Sequence, residues 1–180
     1  ENKKKLQQEC PREGLKQEVN MHFLDKRVKV ICDELKKLKI KQKIPIDNWK
    51  YKEGTYIRPH EAEEDPTPWE DFDCQNMHWY GKDRHYCFKT TWKTPEELDG
   101  KRMWLHICTQ IDEWDDAKNP QFLLYVNGEV IQGIDMNHRD VFLRPQAAAG
   151  EELELVLIAY TGTLHTEFNL IAEMQEVDAA

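Results

Sequence analysis

No stretch of this 180-residue chain is long and apolar enough to read as a membrane-spanning helix, and its N-terminus lacks the pattern of a secretory signal. The five cysteines, Cys10, Cys32, Cys74, Cys87 and Cys108, are odd in number, widely spaced and free of any Cys-x-x-Cys. That argues against a zinc ribbon or a thioredoxin-type pair, and it points to a reducing compartment, so a cytoplasmic protein is expected. None of the seven histidines stands two, three or four residues from another, which removes His-x-His and His-Glu-x-x-His as metal motifs. Gly-x-Ser-x-Gly, phosphate-loop and dinucleotide fingerprints are missing as well, as are internal repeats and low-complexity tracts. Positive charge is in deficit. With 25 Lys and Arg against 34 Asp and Glu, the net charge is −9, so neither nucleic acid nor an anionic membrane surface is expected as a partner. Much of the basic charge sits at Lys3 to Lys5 and between Lys36 and Lys43, where it reads as a solvated helix face.

What is present suits a folded domain. Hydrophobic residues make up 39% and aromatics 10%, six of them Trp, which is too apolar for disorder. The length fits one sandwich-sized domain plus an appendage. Residues 1–20 carry no clean pattern and are expected to be a disordered or non-native extension. Gln17-Glu18-Val19-Asn20 can be encoded by a purine-rich ribosome-binding sequence, and translation is expected to start at Met21. Leu24, Val28, Ile31, Leu35 and Leu38 then recur at alternating spacings of four and three, which predicts a leader helix over 21–44, ended by Ile44-Pro45. That helix is expected to pack on its own domain, with a coiled-coil partner as the alternative.

Further on the period shifts to two. Tyr86, Phe88, Thr90 and Trp92 alternate with His85, Cys87 and Lys89, and Met103, Leu105 and Ile107 alternate with Trp104, His106 and Cys108. Cys87 and Cys108 read as small buried hydrophobes in these strands, and His85 and His106 as partnered structural residues. Phe122, Leu124 and Val126 form another strand, running into Asn127-Gly128, the favoured type I′ hairpin turn. Short strands follow around Val130 to Ile134, Val141 to Leu143, Leu153 to Tyr160 and Thr166 to Ala172. The fold class expected is mainly β, a jelly-roll or galactose-binding-like β-sandwich over 45–175, preceded by an N-terminal amphipathic helix. Phe88, Leu105, Leu124 and Leu155 are predicted to share its core.

Two places carry candidate chemistry. Trp114 is flanked by Glu113, Asp115 and Asp116, an aromatic face among hydrogen-bond acceptors of the kind that holds a sugar. An exposed loop with one anchoring Trp is the plainer reading. The segment from Gly133 to Asp140 is dense in polar groups, and Asp135, Asn137, His138 and Arg139 are its candidate sugar-binding or domain-docking residues. A turn held by Asp135 and Asn137 side chains is the simpler alternative. No pair of carboxylates stands out as a glycosidase pair, and no catalytic residue or metal ligand is expected in this chain.

Several of these segments resemble one family. Trp79-Tyr80-Gly81-Lys82-Asp83-Arg84-His85-Tyr86-Cys87-Phe88-Lys89 and Asn119-Pro120-Gln121-Phe122-Leu123-Leu124-Tyr125-Val126-Asn127-Gly128-Glu129, with Asp135-Met136-Asn137-His138-Arg139, carry the resemblance. Ile31 to Lys37 and Pro95 to Lys101 add to it. Together they are similar to the N-terminal β-sandwich of bacterial and cytosolic-type α-mannosidases, glycoside hydrolase family 38. The resemblance implies a galactose-binding-like sandwich ahead of a catalytic domain. In that family zinc and the nucleophilic Asp belong to a His-x-His-x-Asp segment and later motifs, none of which has a counterpart here. The chain is therefore expected to be a non-catalytic fragment, with zinc in the parent's catalytic domain. Its expected partners are that catalytic domain in cis, mannose-containing glycans and further copies of the parent. A free-standing carbohydrate-binding module and a protein-interaction sandwich are the other readings.

Overall fold

A computed structural model describes residues 13–111, 115 and 117–178. The chain divides into two compact units, Glu1–Lys39 and Ile40–Ala180. The first contains the helix α1 (Glu13–Lys39), on one side of which the Leu24, Val28, Ile31, Leu35 and Leu38 stripe falls. Residues 13–20, assigned above to the extension, are its first turns, whereas residues 1–12 lie outside the described residues.

The second unit is a sandwich of antiparallel strands. In chain order these are β1 (Ile40–Pro45), β2 (Asn48–Glu53), β3 (Glu70–Asp73), β4 (Trp79–Gly81), β5 (His85–Lys93), β6 (Met103–Cys108), β7 (Gln121–Val126), β8 (Glu129–Ile134), β9 (Asp140–Arg144), β10 (Glu152–Tyr160), β11 (Thr166–Phe168) and β12 (Ile171–Val177). A short helix, α2 (Pro59–Glu64), separates β2 from β3. One sheet has the order β1-β12-β6-β9, the other β3-β2-β5-β10-β7-β8, and β11-β4 forms a small ribbon. The leader helix predicted to run to residue 44 therefore stops at Lys39. Ile40, Gln42 and Ile44 turn their partly buried side inward, and Ile44 pairs with Met174 of β12, so sheet pairing claims the residues beyond Leu38, where the helical stripe ends. Pro45 is tolerated because β1 lies at the sheet edge.

The core lies where the alternation placed it. Phe88 of β5, Leu124 of β7 and Leu155 of β10 face Leu105 of β6 across the sandwich, and all four are fully buried in one cluster. Trp79 sits among Tyr86, Phe88, Phe122 and Phe168, with ring centroids 4.9–5.7 Å away. These tilted and edge-on contacts add to the area the rings bury. β5 also departs from simple alternation. Cys87 is buried on the opposite side, in a second cluster with Tyr56, Ala62, Tyr125 and Val156, which α2 helps to cover. Lys52, also buried there, ties α2 down by donating to the Ala62 and Asp65 carbonyls at 2.8 and 2.9 Å. The β7–β8 hairpin turns at Asn127 and Gly128 with φ of 51° and 80°, the two positive angles a type I′ turn requires.

Strand register places the longer connections between the two sheets at one of two ends. His85, Tyr160, Gln121 and Ile134 align at one end of the larger sheet, and Cys108, Ile171 and Asp140 lie at the same end of the smaller one. We call this the upper end. Lys93, Glu152, Met103 and Arg144 mark the lower end.

Candidate functional site

Asp135, Asn137, His138 and Arg139 gather at the upper end. Asp135 organises the β8–β9 loop. Its carboxylate accepts the backbone N–H of Asn137 at 2.8 Å and of His138 at 2.9 Å, and it pairs with the His138 ring nitrogen Nδ1 at 2.9 Å. Partial burial raises its pKa, but these three partners outweigh it and the net shift is downward. The loop is thus a side-chain-held turn, as the simpler alternative has it for Asp135, while Asn137 contributes its backbone N–H. Met136 faces inward and its sulfur meets the Asn119 amide. His138 is exposed, its side chain 68% accessible. Arg139 turns toward the smaller sheet, where Nη2 donates to the Ile111 carbonyl at 2.7 Å and Nη1 approaches Cys108 Sγ at 3.5 Å. Trp114, together with Glu113 and Asp116, lies outside the described residues.

Next to Arg139 stands a group that the sequence reading did not single out. His106 of β6 and Asp140 of β9 are cross-strand partners, with His106 Nδ1 and Asp140 Oδ1 2.7 Å apart. The Asp140 carboxylate and then the Cys108 sulfur push the His106 pKa up to about 9, against a smaller downward pull from burial. Conversely, His106 draws the Cys108 thiol pKa below its ordinary value, helped by the Gln110 N–H and by Arg139. Cys108 is half-buried among polar groups, not the small buried hydrophobe expected of it. The period of two already put His106 and Cys108 on one face. The partner strand carrying Asp140 and Arg139 is a matter of long-range register, which the sequence does not display.

A cleft of about 430 Å³ opens between β2, β4 and the start of β5, lined by Glu53, Tyr80, Lys82, Arg84, Tyr86 and His165 among others. Arg84 is bonded to Glu53 at 2.7 Å, and the Tyr86 hydroxyl donates to the Tyr80 carbonyl at 2.8 Å. Tyr80 is half exposed, with His165 edge-on to its ring at 6.0 Å. An open aromatic face beside charged hydrogen-bonding groups suits a polyol ring. Tyr80, Lys82, Arg84 and Tyr86 of the cleft's lining fall within the 79–89 segment.

Backbone bonds lace these loops together. Asp83 N–H donates to Gly162 O at 2.8 Å, and Thr163 N–H donates to Ala117 O at 2.9 Å. Gly162 has φ of 89°, and an added Cβ would stand 2.7 Å from the Ala117 carbonyl oxygen, so only glycine fits this crossing. Among the described residues no group of three His, Cys, Asp or Glu is arranged to hold a metal ion, and no helix is long and apolar enough to cross a membrane.

No known protein-family profile matches the sequence, and no curated protein matches it. Solved structures match the fold. A Bacteroides uniformis β-glucuronidase aligns with 74% of this chain at a TM-score of 0.51 and 13% identity. A provisionally assigned β-galactosidase from Bacteroides fragilis aligns with 76% at 0.52 and 14%. Bacteroides uniformis β-glucuronidase 2, covalently bound to cyclophellitol-6-carboxylate aziridine, aligns with 74% at 0.50 and 12%. This chain shares its β-sandwich fold with a part of each of those proteins. At such identities the likeness is one of fold alone, and this chain spans only 18–23% of the length of those chains.

Proposed function

We propose that this chain is a non-catalytic domain of a longer glycan-hydrolysing enzyme, and that its upper end helps to shape the active-site cleft or the oligomer. The observation that carries the reading is the fold likeness, in which 74–76% of this chain corresponds to 18–23% of enzymes that act on sugars. Fold alone does not set the glycoside. The sequence motifs do favour one parent, a zinc-dependent retaining α-mannosidase in the cytoplasm. In that reading zinc sits in the parent's catalytic domain, outside this chain. Asp135, Asn137, His138 and Arg139 meet that domain in cis.

The test uses the whole open reading frame. The expected protein carries a His-x-His-x-Asp segment beyond residue 180 and hydrolyses an aryl α-mannoside in a zinc-dependent way. Turnover of an aryl β-glucuronide or β-galactoside instead would keep the accessory-domain reading and replace the mannosidase one. Absence of any further domain would end both.

The cleft around Tyr80, His165 and the Glu53–Arg84 pair favours a second reading, a free-standing carbohydrate-binding module. Titration of this chain with mannose or a mannobiose, followed by amide chemical shifts, separates the two. Saturable shifts at 79–86 and 165 support the module, and their absence supports the domain-docking role.

A further inference from the structure

The cleft between β2, β4 and the start of β5 has a basic bias in an acidic chain. The net charge is −9, yet Lys82 and Arg84 line the cleft against one acid, Glu53. His78 and His165 line it too, and each ring carries at least one N–H donor. Glu53 is itself engaged. Its carboxylate accepts from Arg84 Nη1 at 2.7 Å, in an ion pair whose two side chains are about half exposed. A guanidinium is a planar fork of five N–H donors, so with Nη1 bonded it can still hold a second carboxylate. The fork is held in place by the chain around it. Gly81 has φ of 124°, and an added Cβ would stand 2.5 Å from Arg84 Cγ. The Arg84 stem therefore lies in the space that a side chain at 81 would fill. The Arg84 backbone N–H donates to Thr161 Oγ1 at 3.0 Å, and the neighbouring Asp83 N–H donates to the Gly162 carbonyl at 2.8 Å. The volume of about 430 Å³ falls in the range of small-ligand sites.

Resting on the carbohydrate-binding reading of this cleft, we propose that it takes an acidic sugar, a saccharide ring carrying one carboxylate. Arg84 selects the acid group, and Gly81 is its positioning residue. The carboxylate accepts from the Arg84 fork with Lys82 beside it, the ring hydroxyls donate to Glu53, and the apolar C–H face lies on the half-exposed Tyr80. One carboxylate suits the site better than a polyanion does, because the overall charge of −9 repels extended negative charge that two cations do not offset. A neutral sugar gives Lys82 and the rest of the Arg84 fork only uncharged partners, and neutral hydrogen bonds are the weaker kind.

The experiment uses the complete chain. Amide chemical shifts are followed during titration with glucuronate and glucose, then with mannuronate and mannose as a second acid and neutral pair. Acetate and glucose 6-phosphate are titrated beside them. Saturable shifts at 78–86 and 165 are expected, with each uronate binding about tenfold more tightly than its neutral partner. Arg84→Gln should remove that preference while the neutral sugar binds as before. Gly81→Ala, which displaces the Arg84 stem, should lower the preference likewise. Equal affinity for acid and neutral sugar in the unaltered chain would overturn the acid preference and leave the binding module standing. Binding of neither would overturn both. Acetate matching the uronates would reveal a mere anion site, and tighter binding of glucose 6-phosphate would reveal a phosphate site; either overturns the acidic-sugar assignment. An undiminished preference in Arg84→Gln would overturn it as well. The comparison of acid with neutral sugar in the unaltered chain decides the matter even where a variant fails to fold.

Discussion

The two ends of the sandwich close by different means. At the lower end backbone bonds carry the closure, with side-chain bonds from Arg144 to Glu151 and from the Ala149 N–H to Asp99 beside them. Thr94 N–H donates to Glu151 O and Gly150 N–H to Thr94 O, while Gly100 N–H donates to Ala147 O and Ala147 N–H to Lys101 O, all at 2.8 Å. Leu98 plugs this end from the short 3₁₀ turn at Glu96–Leu98 and is fully buried. At the upper end backbone bonds persist, but order depends on charged and polar side chains: Asp135 under its own loop, His106 on Asp140, Arg139 on Ile111, Glu53 on Arg84. Backbone closure needs only the right turn residues, whereas polar side chains are costly to order unless partnered. The upper end, whose order rests more on side chains, is the one proposed to meet another domain.

The largest expected effect tests the lower end. Leu98→Ala should cost about 2–5 kcal/mol, because the plug cannot be replaced by solvent and the surrounding backbone bonds limit collapse. Thermal melting reads it, at roughly 2–4 °C per kcal/mol for a chain of this size. A near-neutral result would mean that the lower end is as adaptable as the upper one, and the comparison would fail.

A smaller effect belongs to pH and to the upper end. His106 has a folded pKa of about 9 against an ordinary value of 6.5. Its stabilisation is fully present below the unfolded value and is lost as pH rises from 6.5 through about 9. Asp140 is more than half exposed, so solvent screening reduces the contribution to about 1 kcal/mol. Cys108 has the opposite sign, its lowered pKa adding stability as pH rises. Cys108→Ser removes that counterweight, and denaturant midpoints across the window should then fall with pH. His106→Asn should flatten the curve. An unchanged slope in His106→Asn would show that the pair is solvated and that the upper end is not organised by it.

Asp135→Ala tests whether the loop depends on one carboxylate. It removes the acceptor of two backbone N–H groups, as the loss of a helix cap does, and about 0.5–2 kcal/mol is expected. Amide exchange should quicken at Asn137 and His138, while the 94–102 segment stays protected. Quickening at both ends would signal general loosening and would blur the distinction.

The two ends also differ in how far the sequence displays them. The core strands were legible because period-two alternation reports burial directly: Phe88, Leu105, Leu124 and Leu155 all lie where it puts them, and Asn127-Gly128 names its own turn. The end of α1 was not, since Pro45 offers a plain stop and the short alternation Ile40, Gln42, Ile44 does not announce a strand until it pairs with β12. Cys87 and Cys108 look identical in sequence. The first is covered by α2 and the second stands beside His106, a difference set by what arrives from elsewhere in the chain. The 133–140 loop was visible by its polarity, but His106 and the cleft beside Tyr80 depend on cross-strand neighbours.

The smallest stability effect sharpens the comparison most. His138 is exposed, and its bond to Asp135 is an exposed pair of little worth. Asp135 keeps both backbone donors when the imidazole is removed, so His138→Ala should leave the stability of this chain within about 0.5 kcal/mol. A side chain that contributes so little to its own fold is free to serve an interface. In the parent enzyme, where the loop is proposed to meet the catalytic domain, the same change should lower kcat/KM or weaken assembly while the melting of this chain stays put. The expected pattern is thus a split between two measurements, silent in the isolated chain and visible in the whole protein. Leu98→Ala should show the reverse, a loss of stability in both with activity retained wherever the protein remains folded. If His138→Ala is silent in both, the 135–140 loop is an ordinary solvated turn, and the candidate surface shrinks to the cleft beside Tyr80 and His165.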